Sequence, residues 1–214
     1  MSLSATLSVS SDGGYNINCY GGSTGSVTPT VSGGTPPYSY SWGTADGSGL
    51  VAGASVQNAL TAGTYQLTVT DANGCIISGS YTLTQPPAIV VTPSANDYTI
   101  GTCPASVSNL SVNVTGGVPL SGGGYSYSWS PSAGLNYSSV ANPVAKPAVT
   151  TTYTVNVTDR NGCSASAQIT INVAPPLTLN AVPVTYAGGY NIKCNNGSDG
   201  QIDLTVAGGE GPYV

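Results

Sequence analysis

The sequence predicts an all-β protein built from tandem antiparallel β-sandwich domains. Two long segments recur along the chain, apolar and polar residues alternate over short runs, and helix-forming residues are scarce. The 214 residues include 29 Gly and 15 Pro, and only 5% of them are charged. Hydrophobic residues still make up 40% of the chain, which favours packed domains over a disordered chain.

The repeats have the length of a whole small domain. Residues 63–75 recur as residues 151–163, a shift of 88 positions, and residues 13–19 recur as residues 188–194, a shift of 175 positions or two periods. Such a period is too long for a solenoid unit of roughly 20 to 50 residues, but it fits a sandwich domain with its own core. We therefore expect a first repeat at residues 1–87, a second repeat at 88–175 and the N-terminal part of a third repeat at 176–214.

The last residues repeat a motif from the first repeat. Residues 208–213 match residues 33–38, so we expect this chain to be a piece of a longer protein.

Alternation identifies the strands and their buried faces. In Tyr38-Ser39-Tyr40-Ser41-Trp42 the aromatic residues fall on one face and the serines on the other, as in a half-buried antiparallel strand. The same pattern predicts further strands at residues 27–31, 65–69, 76–84, 110–114, 125–129, 153–157, 165–173 and 202–206. Asn73-Gly74 and Asn161-Gly162 supply the positive φ angles of a tight hairpin.

The order of these signals is typical of immunoglobulin-like or PKD-like sandwiches. We expect about seven short strands in each repeat, an inward Trp on the third strand (Trp42 and Trp129) and a Tyr that opens the penultimate strand (Tyr65 and Tyr153). The paired prolines that close the first two repeats favour extended, stiff connections between domains. The aromatic faces line either the core or a glycan-binding platform, and small sandwiches need their large aromatic residues inside.

Charge and the length of apolar runs each argue against one class of partner. The net charge is −5, and the three cations, Lys146, Arg160 and Lys193, are scattered, so no basic patch is available for nucleic acid. No apolar run reaches the length of about 18 residues that a membrane helix needs, so we expect no membrane insertion by this chain. Export signals are expected to lie elsewhere in the parent protein or to have been removed.

Cysteine spacing is the strongest local signal. Each complete repeat has one early Cys and one late Cys that follows the Asn-Gly turn, and the third repeat contributes Cys194. This pattern predicts one disulfide per domain, Cys19–Cys75 and Cys103–Cys163, with Cys194 unpaired. Links between neighbouring repeats, Cys75–Cys103 and Cys163–Cys194, and free thiols remain alternatives. With no His and no two Cys close in sequence, we expect no metal and no cofactor.

No constellation of residues predicts catalysis. Asp71 and Asn73, like Asp159 and Asn161, have the oxygen-rich character of a calcium loop, but turn formation explains them better because most of a coordination set is missing. Asp199 and Asp203 form the only close carboxylate pair, and this pair has no counterpart in the complete repeats. There is also no His to act as a base. We therefore predict no catalytic residues and no enzyme activity, and the ligand-binding residues stay unknown.

The combination of motifs resembles the SprB repeat. The motifs are Cys19 with the Gly-rich sequence after it, Gly33-Gly34-Thr35-Pro36-Pro37-Tyr38, Asp71-Ala72-Asn73-Gly74-Cys75, and Gln85-Pro86-Pro87. The second repeat departs from them, because its segment before Trp129 is longer and Cys103 is followed by Pro104. The resemblance implies a parent that is a giant surface adhesin of gliding Bacteroidota, exported by the type IX secretion route and engaged with the gliding machinery.

These observations predict a structural and adhesive segment of a long cell-surface filament. Its expected partners are surface polysaccharide or a solid substratum, bound weakly and through many copies. The enlarged loop at residues 121–124 of the second repeat is either a variable binding loop or simple drift of an exposed loop. Two other functions remain open: a carbohydrate-binding module, and an accessory domain of a secreted enzyme whose catalytic domain lies outside this chain.

Overall fold

A computed structural model describes residues 4–9, 13–103 and 105–209 of the chain. Pro104 and residues 210–213 of the predicted closing motif lie outside the described residues. The described residues form fifteen β-strands and no helix, which confirms the all-β prediction. Accordingly, none of them lies in a helix long and apolar enough to cross a membrane.

Contacts group the chain into two compact units. Unit 1 comprises Met1–Thr92, Asn113–Tyr127 and Asn156–Ser166, and unit 2 comprises Pro93–Val112, Ser128–Val155 and Ala167–Val214. The units do not coincide with the three sequence repeats, because several strands of the second repeat have residues in both units. The limits of the repeats therefore stay a prediction from the sequence.

The first repeat lies within unit 1 and is a sandwich of two antiparallel sheets. Its described strands are β1 (Ser4–Val9), β2 (Gly25–Ser32), β3 (Ser39–Thr44), β4 (Gln57–Leu60), β5 (Gly63–Thr70) and β6 (Ile76–Leu83). One sheet has the order β1-β2-β4 and the other β3-β5-β6. These are the A-B-E and C-F-G orders of immunoglobulin-like sandwiches, so the predicted fold class is confirmed.

The core of this sandwich joins its two sheets. The buried cluster contains Val27 and Leu60 from one sheet and Tyr65 and Leu83 from the other, together with Ile17. Alternation places these residues inward because successive side chains of a strand point to opposite faces. The hydroxyl oxygen of buried Tyr65 lies 2.8 and 2.9 Å from the carbonyl oxygens of Ser48 and Thr61, which share its single donor hydrogen and satisfy its polar end.

The second repeat has the same strand order. Its strands are β7 (Val90–Ala95), β8 (Thr99–Ile100), β9 (Ser108–Thr115), β10 (Ser126–Ser130), β11 (Val144–Ala145), β12 (Thr151–Thr158) and β13 (Ser164–Val173). They form sheets of order β11-β9-β7 and β10-β12-β13-β8, in which β8 runs parallel to the end of β13. The inward residues of unit 2, including Leu110, Trp129 and Tyr153, are buried.

The described part of the third repeat is one antiparallel pair of strands in unit 2. β14 (Thr178–Pro183) pairs with β15 (Ile202–Ala207), and the register sets Leu179 opposite Val206 and Ala181 opposite Leu204. All residues of both strands are exposed. Residues 202–206 thus form the predicted strand, but their apolar face is not covered.

Candidate functional site

The late turn of the first repeat is held by one carboxylate. The two oxygens of Asp71 accept hydrogen bonds from three backbone amides, Oδ2 from Thr35 at 2.9 Å and Oδ1 from Asn73 at 2.9 Å and Cys75 at 2.8 Å. The amide of Gly74 donates to the carbonyl of Asp71 at 3.0 Å. The Asp-x-Asn-Gly-Cys segment is therefore a clamp that ties the β5–β6 turn to the loop before β3.

Asp159 forms the same clamp in the second repeat. Its Oδ1 accepts from the amides of Asn161 and Cys163 at 2.9 Å each, and its Oδ2 accepts from the amide of Val118 at 2.8 Å. The Asn-Gly pairs were predicted to supply positive φ angles, and the glycines, Gly74 and Gly162, do so at 82° in each repeat, whereas Asn73 and Asn161 do not.

The clamp accounts for the oxygen-rich character of these segments. The side-chain oxygens of Asp71 and Asp159 are already engaged with backbone donors, so the turn interpretation fits these residues better than a calcium loop. Within the described part of the chain, no group of three or more His, Cys, Asp or Glu residues could hold a metal ion.

The clamp makes the stability of the first repeat depend on pH. Backbone hydrogen bonds from Thr35, Cys75 and Asn73 to the charged carboxylate hold the pKa of Asp71 below its ordinary value of 3.8, although desolvation opposes them. Because the unfolded chain takes up the proton first, this stabilisation is present above about pH 4 and is lost as the pH falls through the lowered pKa.

We expect Asp71→Asn to remove this acid sensitivity. Urea midpoints measured from about pH 6 down to about pH 2.5 should fall less steeply for the variant than for the parent chain. Asp203→Asn is the matched control, because Asp203 lies exposed on β15. Parallel curves for the parent and Asp71→Asn would contradict the role of the clamp.

The structure corrects the predicted disulfides. Cys19 bonds Cys163, with a Cα–Cα distance of 5.6 Å, and Cys75, Cys103 and Cys194 are free and exposed. The predicted bonds Cys19–Cys75 and Cys103–Cys163 are therefore wrong, and so are the alternative links Cys75–Cys103 and Cys163–Cys194. Cys194 is unpaired, as predicted. The observed bond joins the first repeat to the second, and both of its residues lie in unit 1.

The physical reason for this correction is the length of strand β6. The amides of Asn16 and Ile17 donate to the carbonyl of Thr84, so Cys19 lies near the end of β6, whereas Cys75 directly precedes its first residue. A strand of eight residues separates these two positions by roughly 25 Å. A disulfide needs Cα atoms within about 7 Å. Two cysteines at opposite ends of one strand cannot bond to each other.

Hydrogen bonds of unit 1 surround the disulfide. The amide of Gly117 donates to the carbonyl of Pro87 at 2.8 Å. The side chain of Asn161 donates to the carbonyl of Asn18 at 3.0 Å. A Cβ atom at Gly116 would collide with the carbonyl of Ala88, so this close approach of two backbones requires glycine. These residues of the first two repeats therefore form a defined junction.

The junction contains a groove with a volume of about 260 Å³. Its wall includes the disulfide, Pro86, Pro87 and Ile89. Tyr20 also lines the groove, with 62% of its surface exposed. An exposed tyrosine beside apolar carbon atoms can stack against a sugar ring and donate a hydrogen bond. We take this junction groove as the candidate contact surface of the described chain.

The aromatic strands face inward rather than forming a platform. Trp129 is buried with 3% exposure, as predicted, and its indole nitrogen donates to the carbonyl of Val140 at 2.9 Å. Trp42 is half-buried, so the prediction that it is buried was only partly correct. It packs against the core cluster, and its indole nitrogen donates to Ala54 at 2.9 Å.

The carboxylates of the third repeat engage their own neighbours. Asp199 Oδ1 accepts from the amide of Lys193 at 3.2 Å, and its Oδ2 lies 4.0 Å from Lys193 Nζ in an exposed ion pair. Asp203 Oδ1 accepts from Gln201 Nε2 at 3.2 Å on the exposed strand β15. Both carboxylates are therefore engaged with neighbouring polar groups.

The junction is the feature that sequence reasoning missed. A usable signal was present, because the two segments that meet there, the early Cys segment and the Asp-x-Asn-Gly-Cys turn, both recur along the chain. Repetition of an early and a late Cys is compatible with pairing inside one repeat or across two repeats. Strand β6 distinguishes these cases. It begins just after Cys75 and ends near Cys19, so it places the late and early cysteines of one repeat at opposite ends of the sandwich.

Comparison with known families bears out the resemblance. The SprB repeat model matches residues 15–47 and 190–214. The two matches begin 175 positions apart, which is the longer shift found within the sequence. Each match begins at the Tyr-Asn-Ile-x-Cys segment that contains Cys19 or Cys194.

Distant similarities to solved structures were also found. An amphioxus IgVJ-C2 molecule has 12% identity and a TM-score of 0.31, over 65% of this chain and 90% of that chain. The extracellular cadherin domains 1–4 of protocadherin gamma B7 have 11% identity and a TM-score of 0.32, over 95% of this chain and 71% of that chain. No curated protein matches the sequence.

Proposed function

We propose that this chain is a structural and adhesive segment of an extracellular filament, in which neighbouring repeats are joined covalently. The observation that carries this proposal is the Cys19–Cys163 bond, which connects two repeats instead of closing one. A bond of this kind transmits tension from one domain to the next. The SprB repeat and the immunoglobulin-like fold are both non-catalytic domain types, which supports a mechanical role.

An extracellular location agrees with this chemistry. Disulfides persist in oxidising environments and are rare in reducing cytosol. The SprB match supports a parent of the gliding-adhesin type, exported by type IX secretion and connected to the gliding machinery outside this chain. The chain contributes length and cohesion to that parent.

Adhesion would come from weak contacts repeated along the filament. Only 5% of the residues are charged, so contacts to polysaccharide would rely on hydrogen bonds and aromatic edges and depend little on salt. The junction groove with exposed Tyr20 is the part of unit 1 suited to such a contact. Many weak contacts on one particle hold firmly through high effective concentration.

Bead retention under flow tests the adhesive role. Beads carrying the chain at increasing density are passed over polysaccharide-coated glass, and retention should rise steeply with density and change little between about 0.05 and 0.5 M salt. Beads carrying Tyr20→Ser are the matched control and should be retained less well.

Two outcomes would contradict this proposal. Absence of retention at every density would remove the adhesive role. Tight binding of one defined glycan by the single chain would identify a dedicated carbohydrate-binding module.

A further inference from the structure

The early cysteine of each of the three repeats is the first residue of the same type of turn. In each repeat the carbonyl of the cysteine accepts a hydrogen bond from the amide three residues later, at 2.9 to 3.0 Å: Gly22 to Cys19, Ser106 to Cys103 and Gly197 to Cys194. Cys103 keeps this turn although the residues after it differ from those after Cys19. The three cysteines are therefore structurally equivalent.

The late cysteines are equivalent as well. The amide of Cys75 donates to Asp71 Oδ1 at 2.8 Å, and that of Cys163 donates to Asp159 Oδ1 at 2.9 Å. In both repeats the carbonyl of the cysteine accepts from the amide of the same Asp, at 3.0 and 2.9 Å. Cys75 thus occupies the position that lets Cys163 bond to another repeat.

Unit 2 contains the hydrogen bond that marks the junction in unit 1. Gly209 donates to the carbonyl of Pro175 at 2.7 Å, as Gly117 donates to Pro87 at 2.8 Å. A Cβ atom at Gly208 would collide with the carbonyl of Pro176, which is the close approach already described at Gly116. The backbone after the second repeat therefore follows the same course as the backbone after the first.

Cys103, like Cys19, lies close to the end of the last strand of its repeat. The amide of Ala174, just after β13, donates to the carbonyl of Ile100 at 2.9 Å, and Ile100 is buried like its counterpart Ile17. Cys103 follows this buried isoleucine and carries an exposed, free thiol.

We propose that the disulfides of tandem repeats form a ladder, in which the early Cys of each repeat bonds the late Cys of the next repeat. Cys19–Cys163 is one rung. Cys103 and Cys194 then bond the late Cys of the repeat that follows their own, and Cys75 bonds the early Cys of a repeat that precedes the first. This inference rests on the proposed function, since it needs further repeats of the same kind in the filament.

The ladder forms by ordinary thiol–disulfide exchange. One cysteine thiolate attacks a low-molecular-weight disulfide and releases one small thiol, and the second cysteine thiolate then displaces the other. Forming each rung oxidises one pair of cysteines. The two electrons and two protons that the pair loses reduce the small disulfide to two thiols. Oxidised glutathione is a sufficient co-reactant for the test.

A chain with one added repeat tests the ladder. Residues 88–176 are placed before residues 3–214, so that a complete copy of the second repeat precedes the first. After refolding with oxidised glutathione, non-reducing peptide mapping should show Cys75 linked to the added copy of Cys103, with Cys19–Cys163 retained. Replacing that added cysteine by Cys103→Ser should leave Cys75 as a free thiol.

Several outcomes would overturn the ladder. A free Cys75 in a chain where Cys19–Cys163 has formed would do so, as would a bond from Cys75 to Cys19. A second chain covers the case in which the first one does not fold. Residues 1–213 are followed by residues 39–87, which completes the third repeat.

In this second chain Cys103 should bond the added copy of Cys75. A free Cys103 beside an intact Cys19–Cys163 bond excludes the ladder. These results concern covalent pairing alone and do not depend on bead retention.

Discussion

Reduction of the Cys19–Cys163 bond is expected to lengthen the fully stretched chain by about 500 Å. Tension applied at the two ends passes through the disulfide and bypasses the chain between the two cysteines, which are 144 positions apart. An extended residue spans roughly 3.3 to 3.6 Å. While the disulfide is intact, roughly 480 to 520 Å of contour length therefore cannot be stretched. Single-molecule pulling with and without a reductant measures the difference.

A serine variant and the size of the steps make this measurement decisive. The double variant Cys19→Ser, Cys163→Ser should reach the full length in both conditions. Bonds inside each repeat would instead hide two shorter segments, which a reductant would release separately. Equal lengths of the oxidised and reduced parent chain would show that the bond does not form in solution.

The same bond also stabilises the fold, but the stabilisation is shared. In the chain-entropy model, a closed loop of this size contributes about 5 kcal/mol. Because the loop includes parts of two repeats, this free energy belongs to the pair rather than to either repeat. Loss of the bond should therefore weaken the coupling between the two unfolding transitions as well as lower the stability.

Trp129→Ala is expected to cost about 3 to 5 kcal/mol of unfolding free energy. Trp129 is buried, and its indole nitrogen bonds Val140, so truncation leaves both a cavity and an unpaired carbonyl. Trp42→Ala should cost clearly less, because Trp42 is only half-buried. Urea unfolding measures both, and each variant keeps one tryptophan as a fluorescence reporter. Equal costs for the two variants would contradict the difference in burial.

The fold was predictable because alternation acts locally. In β5, Tyr65, Leu67 and Val69 are buried and alternate with less buried residues, so the sequence pattern and the structure agree residue by residue. Trp42 was less predictable, since the alternation of β3 specifies a face but not how deeply that face is covered. Coverage depends on the residues that pack above it, and these come from distant parts of the chain.

The candidate site was less predictable because it depends on pairing between repeats. Sequence alone showed that Cys19 and Cys163 belong to recurring motifs, but not that the two motifs meet. Strand direction contains part of that information: β6 leads from Cys75 to Thr84, which accepts hydrogen bonds from the segment before Cys19. The contacts of Gly117 with Pro87 and of Asn161 with Asn18 have no local signal at all.

The clamp at the Asn-Gly turns also affects how the chain ages chemically. An Asn-Gly bond deamidates when the glycine nitrogen attacks the asparagine side chain and releases ammonia, and asparagine is accordingly a thermolabile residue. In the first repeat the backbone nitrogen of Gly74 donates to the backbone carbonyl of Asp71 at 3.0 Å, and the side-chain amide of Asn73 donates to Thr35 Oγ1 at 2.9 Å. Both reacting groups are restrained, so the fold of this turn should also slow spontaneous deamidation of Asn73.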